Sequence, residues 1–359
     1  MLIEFYDTAN KFRTIFDTAT GFYLRSGVLD ENGNETGIDP FMAEFPHLID
    51  VGIMGFCEHG RSGKCAQSGT DCYQSGASVS KPNMLLSDFI CIAEQCAGRV
   101  NQFALGGRGD PDLHENFGQI LKICRENNIV PNYTTSGYRL SDAAIKESKD
   151  HCGAVAVSWY HGDYTIDAIK RFVAAGVKTN IHYVLSRNTI KEAIERLGKD
   201  DFPTGINAVI FLVYKPVGYG KRENVLDPND ETVAKFFEQI ERSHRFKVGV
   251  DSCMTPGILT YCKEISFESI DACEGARFSC YIDAQMNMLP CSFTSINHHG
   301  ISLRNHTIEE AWHHSQFESF RRRFANRCSD CEWQQMCLGG CPIISDIALC
   351  GRQESRAMP

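Results

Sequence analysis

Residues 55–76 read GFCEHGRSGKCAQSGTDCYQSG and carry Cys57, Cys65 and Cys72 in the spacing C-x7-C-x6-C. Glycines and small polar residues surround the thiols, so the stretch is a loop. A second set lies in the tail. CSDCEWQQMCLGGC (328–341) holds Cys328, Cys331, Cys337 and Cys341 as C-x2-C-x5-C-x3-C, with Cys350 after eight more residues. Upstream, Cys273 and Cys291 flank Cys280, and Cys253 sits in VDSCMTP. Short turns between thiolates let four sulfurs surround a compact iron–sulfur cluster, with N–H groups facing the sulfurs. A four-cysteine zinc site also uses C-x2-C pairs. Zinc needs two such pairs and gives no reason for a further three-cysteine loop, so the spacing favours iron–sulfur over a zinc-stabilised binding module.

Composition supports metal over disulfides. The chain has 359 residues and 17 cysteines, an odd count that pairing cannot exhaust. MLIEFYDTANKFR carries charge from its fourth residue and has no apolar signal core, so the expectation is a cytoplasmic protein with reduced thiols. No apolar run reaches the roughly 18 residues of a membrane span. A net charge of −9 argues against a broad nucleic-acid surface. Cys91, Cys96, Cys124 and Cys152 fall in or beside apolar helical stretches and read as core packing.

The elements that must position these thiols follow a rhythm. Apolar strands are expected at 48–56, 101–107, 130–137, 153–160, 178–186 and 207–218. Helices are expected between and after them at 84–98, 114–128, 140–151, 164–176, 189–198 and 232–244. Six βα units predict an α/β fold with a parallel sheet, either open or a partial TIM-like barrel, with ligands at the C-terminal ends of the strands. The first cysteine loop follows the first strand and therefore lies on that rim. Residues 1–45 read as an N-terminal extension with a β-hairpin turning at ENGN, and 46–250 as the barrel. Residues 251–359 read as a cysteine-rich domain with a hairpin at 277–291 and a helix at 307–326 capped by Thr307.

From about residue 46 onward the chain resembles radical S-adenosylmethionine (SAM) enzymes with a C-terminal SPASM domain. The resemblance rests on the cysteine loop after the first strand, Gly106-Gly107 after the second, Thr135-Ser136-Gly137 after the third, Ser158 ending the fourth, KPVG ending the sixth, and the tail cysteines. It implies that Cys57, Cys65 and Cys72 bind a [4Fe–4S] cluster whose fourth iron is chelated by SAM. An electron from the reduced cluster then splits SAM, and a 5′-deoxyadenosyl radical takes a hydrogen atom from an unactivated C–H bond. It implies two auxiliary [4Fe–4S] clusters: one on Cys328, Cys331, Cys337 and Cys350, the other on Cys273, Cys291 and Cys341. Cys280, Cys253 or an open iron site would complete the latter. The departures are the stretched loop, Asp71 where an aromatic residue usually precedes the third cysteine, and GGRGDP for Gly-Gly-Glu. Asp110 is expected to replace that glutamate, with Gly106, Gly107, Ser136 and Ser158 also at the SAM site.

The same resemblance implies a peptide substrate, a precursor with a leader, in maturation of a ribosomally made peptide. The reaction would be a crosslink, thioether, epimerisation or backbone excision. An electron donor such as flavodoxin or ferredoxin is implied. With about 45 residues before the barrel, leader recognition would fall to a separate partner protein or to direct binding. The alternative is a sulfatase-maturase-like protein oxidase. That branch often has aspartate after the cysteine matching Cys291, where this chain has Ser292. Tyr160, His161 and Tyr183 lie near strand ends, where ordinary barrel lining competes with a substrate-facing role.

Overall fold

The computed structural model describes residues 1–325, 328 and 330–350. A three-stranded antiparallel meander comes first: β1 (Leu2–Asp7), β2 (Phe12–Asp17) and β3 (Tyr23–Arg25). The expected hairpin at ENGN is reduced to a single bridge, Leu29 to Glu35, around a tight turn at Gly33. The regular strands lie earlier in the chain because β2 alternates buried Phe12, Thr14 and Phe16 with more exposed residues.

The main sheet has ten strands. Its parallel part comprises β4 (Leu48–Met54), β5 (Gln102–Gly107), β6 (Val130–Thr135), β7 (Val155–Ser158), β8 (Thr179–Leu185), β9 (Ala208–Val213) and β10 (Lys247–Val250). They lie side by side in chain order, β10 at the edge and β4 at the other end of the run. The predicted strands are present and shorter, and KPVG falls in the loop after β9. The strand β10, beyond the expected six units, was missed because KVGV is too short and too little buried to stand out. Helices separate the strands, among them Leu86–Cys96, Phe117–Glu126, Asp142–His151, Asp163–Ala174, Ile190–Lys199 and Glu231–Ile240. Their buried residues, such as Ile120, Leu121 and Cys124, recur at helical spacing and pack on the sheet.

The tail joins the same sheet. β11 (Ser279–Ile282) pairs in parallel with β4, while β12 (Asn287–Leu289) and β13 (Ile301–Ser302) continue antiparallel. The expected hairpin is therefore present, and it extends the β4 edge. The expected helix at 307–326 is broken into Ile308–Trp312 and Ser315–Ala325. Thr307 caps the first piece in a capping box with Glu310. The break lets Trp312 and Phe317 both reach full burial, and Arg321 Nη2 donates to the Trp312 carbonyl at 2.8 Å across it. Trp312 Nε1 donates to the Ala43 carbonyl, tying the tail to the N-terminal segment. Among the described residues, no helix is long and apolar enough to cross a membrane.

Candidate active site and cluster cages

The first cysteine loop leaves the C-terminal end of β4. Cys57 caps the short helix Glu58–Arg61, its sulfur accepting from Gly60 N–H at 3.0 Å. Cys65 lies in the next turn, Lys64–Gln67. Cys72 Sγ accepts from Gly76 N–H at 3.4 Å. Gly76 packs directly on Cys57: a Cβ there would stand 2.9 Å from the Cys57 Cβ. The three thiols act on one another electrostatically. Burial pushes the Cys57 thiol up to about 12, with Asp110, Cys72 and Cys65 adding to the rise. Burial likewise raises Cys65, reinforced by Cys72 and Asp110. The half-buried Tyr160 packs on His59 of this loop with ring centroids 4.6 Å apart, and its phenol is raised by burial and then by Asp110 and all three thiols.

The extra length of the loop is held by its own small core. His59 is buried, its Nε2 2.7 Å from Tyr164 Oη, and its ring packs edge-on to Tyr160 at 4.6 Å. Burial lowers His59 to about 4, which keeps it neutral at neutral pH. At the far end, Asp71 Oδ2 accepts from Tyr214 Oη at 2.5 Å and from Asn224 Nδ2 at 2.9 Å. Here the residue that departs from the usual aromatic serves as an anchor. The KPVG turn backs the loop, with Tyr219 N–H donating to the Cys72 carbonyl at 3.0 Å. Gly218, at φ +65°, lies so close that a Cβ would meet the Tyr73 carbonyl at 2.4 Å.

Asp110 lies just beyond β5 and is engaged by Ser136, from its N–H at 2.7 Å and its hydroxyl at 2.6 Å. Those two predicted residues are brought together. Gly106 and Gly107 end β5, and Arg108, in the place of the usual glutamate, donates to the Gln74 and Gly55 carbonyls. Ser158 ends β7 and lines an open cleft of about 660 Å³ with Asp71, Tyr160, His161, His182 and Tyr214. His161 lies 3.4 Å from Glu192, and Tyr183 is buried with its hydroxyl donating to the Thr189 carbonyl and Glu192. Tyr160 is therefore the member of that trio facing the thiols.

The tail forms two further groups. Cys328, Cys331, Cys337 and Cys350 line one cavity of about 510 Å³ with Pro256, Leu259 and Trp333. Burial raises the Cys337 thiol to about 11, with backbone N–H groups of Gly339 and Gly340 opposing it. In the second group, Cys253 lies beside Cys341, and its influence holds the Cys341 thiol below the usual range. Cys273 is raised by burial and then by Cys291 and Cys341. Cys280 lies elsewhere. It occupies β11 opposite Ile49 of β4, and its titratable neighbours are Cys96, Asp50 and Arg321, not Cys273, Cys291 or Cys341. Adjacent strand residues face opposite sides, and the Cys280 side chain is in the core. Of the two contenders beside Cys273, Cys291 and Cys341, the fold brings in Cys253.

The donor sets fit clusters. Backbone N–H groups donate to sulfur from Gly60 to Cys57 and from Gly76 to Cys72 in the loop, and from Ile344 to Cys341 at 3.4 Å in the tail. Among the described residues, no three His, Cys, Asp or Glu side chains close on a point suited to one metal ion. A four-iron cluster takes each thiolate on a separate iron, which suits Cys328, Cys331, Cys337 and Cys350 around their shared cavity.

Solved structures share this fold. Streptococcus suis SuiB bound to S-adenosylmethionine matches with a TM-score of 0.65 at 17% identity, over 84% of this chain and 74% of that one. SuiB bound to its precursor peptide SuiA gives 0.64 at 17% identity, over 86% and 77%. Native anSMEcpe with bound AdoMet and the Kp18Cys peptide gives 0.59 at 17% identity, over 82% and 89%. No family model matches the sequence, and no curated relative does. These likenesses, each at 17% identity, show a shared fold.

Proposed function

We propose that this chain is a radical SAM enzyme that modifies a peptide. The observation that carries the reading is the gathering of Cys57, Cys65, Cys72, Asp110 and Tyr160 at the C-terminal end of the parallel sheet. Cys57, Cys65 and Cys72 would hold the SAM-binding [4Fe–4S] cluster. Cys328, Cys331, Cys337 and Cys350 would hold one auxiliary cluster, and Cys253, Cys273, Cys291 and Cys341 the other. When bound, the reduced cluster and SAM supply one-electron cleavage of the sulfonium and hydrogen-atom abstraction from an unactivated C–H bond.

The chain's own residues supply position and shelter. The Asp71 and His59 anchors fix the loop. Ser136 fixes the Asp110 carboxylate, the group assigned to the SAM amino end. Ser158 is assigned to the ribose, at the mouth of the cleft. Tyr160 closes one side of the thiol space and excludes water from it. The chain-order run of parallel strands supports a partial barrel over 46–250, with a SPASM-type tail from 251.

A peptide substrate is supported by the neighbours of like fold, SuiB with SuiA and anSMEcpe with Kp18Cys. A leader-bearing precursor, a separate leader-binding protein and a flavodoxin- or ferredoxin-type electron donor belong to the same reading. Ser292, after Cys291, keeps the sulfatase-maturase-like reaction as the second choice.

The test is iron, acid-labile sulfide and zinc on anaerobically reconstituted protein, followed by 5′-deoxyadenosine formation from SAM. Three clusters of four irons predict about twelve irons per chain with matching sulfide. Zinc without sulfide, or no SAM cleavage, overturns the reading.

A further inference from the structure

A buried ion pair stands beside one of the two tail thiol groups. Lys215 opens the turn after β9, and Asp251 follows β10, the neighbouring parallel strand. Lys215 is 8% exposed, with Nζ donating to Asp251 Oδ2 at 2.8 Å and to the Val213 carbonyl at 3.1 Å. The same Nζ lies 4.7 Å from the centre of the Phe293 ring. Phe293 is two residues past Cys291, and Asp251 is two residues before Cys253, so the pair stands between two thiols of this group. Cys253, Cys291 and Cys341 all lie within range of the ammonium charge.

A buried ion pair is a poor stabiliser, since desolvation cancels most of its attraction. Its place against the thiols points to another use. The second tail group offers a contrast: among the described residues lining its cavity, none is charged. Two centres of the same ligand type would thus sit in different fields.

We propose that Lys215 and Asp251 set the reduction potential of the auxiliary centre on Cys253, Cys273, Cys291 and Cys341. The lysine raises the potential and the aspartate lowers it. This rests on the reading of the tail as a cluster holder. Reduction adds one negative charge with no bond broken and no proton moved. A fixed cation nearby in a poorly polarisable interior favours the reduced form, and a fixed anion disfavours it.

The experiment uses the full chain carrying Cys57→Ala, Cys65→Ala and Cys72→Ala, reconstituted so that the tail centres alone remain. Dithionite supplies one electron per centre, and electron paramagnetic resonance follows the two midpoint potentials. Lys215→Met should lower one of them by at least tenfold in the reduction equilibrium, about 59 mV for one electron. Asp251→Asn should raise the same potential, and the double variant should return close to the parent. The other potential should stay in place throughout, which separates a local field from general damage. Should Lys215→Met fail to load, Asp251→Asn decides by the sign of its shift. No shift, or shifts of the same sign in both single variants, overturns the proposal. A parent chain with no tail signal refutes the cluster reading itself, and the proposal with it.

Discussion

The Tyr214 phenol donates to Asp71 Oδ2 at 2.5 Å, tying the residue before Cys72 to the chain just past β9. Asn224 donates to the same oxygen, and Lys221 N–H fixes the phenol from behind at 2.7 Å. Hydrogen bonds to a charged group contribute about 1.5–3 kcal/mol each. Asp71→Ala removes two and frees one side of the loop. We expect the SAM concentration for half-maximal 5′-deoxyadenosine formation to rise roughly tenfold, as about 1.4 kcal/mol of lost positioning would give. Tyr214→Phe should do less, because Asn224 remains. Unchanged SAM dependence in Asp71→Ala would remove the anchor from the account.

Changing Cys57, Cys65 and Cys72 together to alanine should abolish 5′-deoxyadenosine formation and leave about eight irons, the content of two four-iron clusters. Retained SAM cleavage would show that the chemistry lies elsewhere in the chain.

Cys253 and Cys280 separate cleanly by loss of iron. Cys253→Ala should lower iron by about four per chain, or leave a centre with an altered spectrum, because its thiol stands with Cys341 in the second tail group. Cys280→Ala should keep full iron and cost only packing, on the order of a kcal/mol for a small buried group. The reverse result would assign the ligand to β11.

Asp110 and Asp112 lie close together and are both buried. Burial pushes Asp110 up to about 6 and Asp112 up to about 7, from 3.8, and the Asp110 charge adds to the rise at Asp112. The folded chain thus holds protons between about pH 4 and pH 7 that the unfolded chain releases. Their contribution to stability is full below that window and is lost as pH rises through it. Asp112→Asn removes one of these charges. The variant should gain stability over the parent as pH goes from 5 to 8, by an amount on the order of a few kcal/mol. Melting temperatures of reconstituted parent and variant across that range check it, and a difference independent of pH would refute it.

Asp110→Ala should weaken SAM binding and also release Ser136, whose N–H and hydroxyl both rest on that carboxylate. Ser136→Ala keeps the carboxylate and loses one of its two bonds, so it should show the smaller effect. Equal SAM affinity in Asp110→Ala and parent, measured by equilibrium binding to the reconstituted chain, would leave that carboxylate a structural role.

The parallel strands were legible because each is an apolar run bounded by turn residues and followed by a helix with one buried face. VAVS and AVIFLV need no partner to be recognised. The thiol groups were legible for a different reason: short spacings such as C-x2-C bring ligands together through local chain geometry alone. β1 was missed because exposed Leu2, Phe5 and Tyr6 blur the alternation that marks a half-buried strand, and β2, which does alternate, went unread with its partner. The helix at 307–326 was read as continuous because its periodicity persists through His313 and His314, and only packing of Trp312 and Phe317 breaks it.

What the sequence alone determined, then, is the run of six parallel strands with their helices, the rim on which Cys57 lies, and the two clusters of cysteine spacing. Those properties are local, set by periodicity and by a few residues of chain. The tertiary structure decided which distant groups meet. It placed Cys253 against Cys341 while strand alternation buried Cys280 beside Cys96. It turned Asp71 toward Tyr214 and set Lys215 on Asp251. These contacts join segments tens to more than a hundred residues apart, and side-chain direction at each end depends on register and packing that spacing in the sequence does not encode.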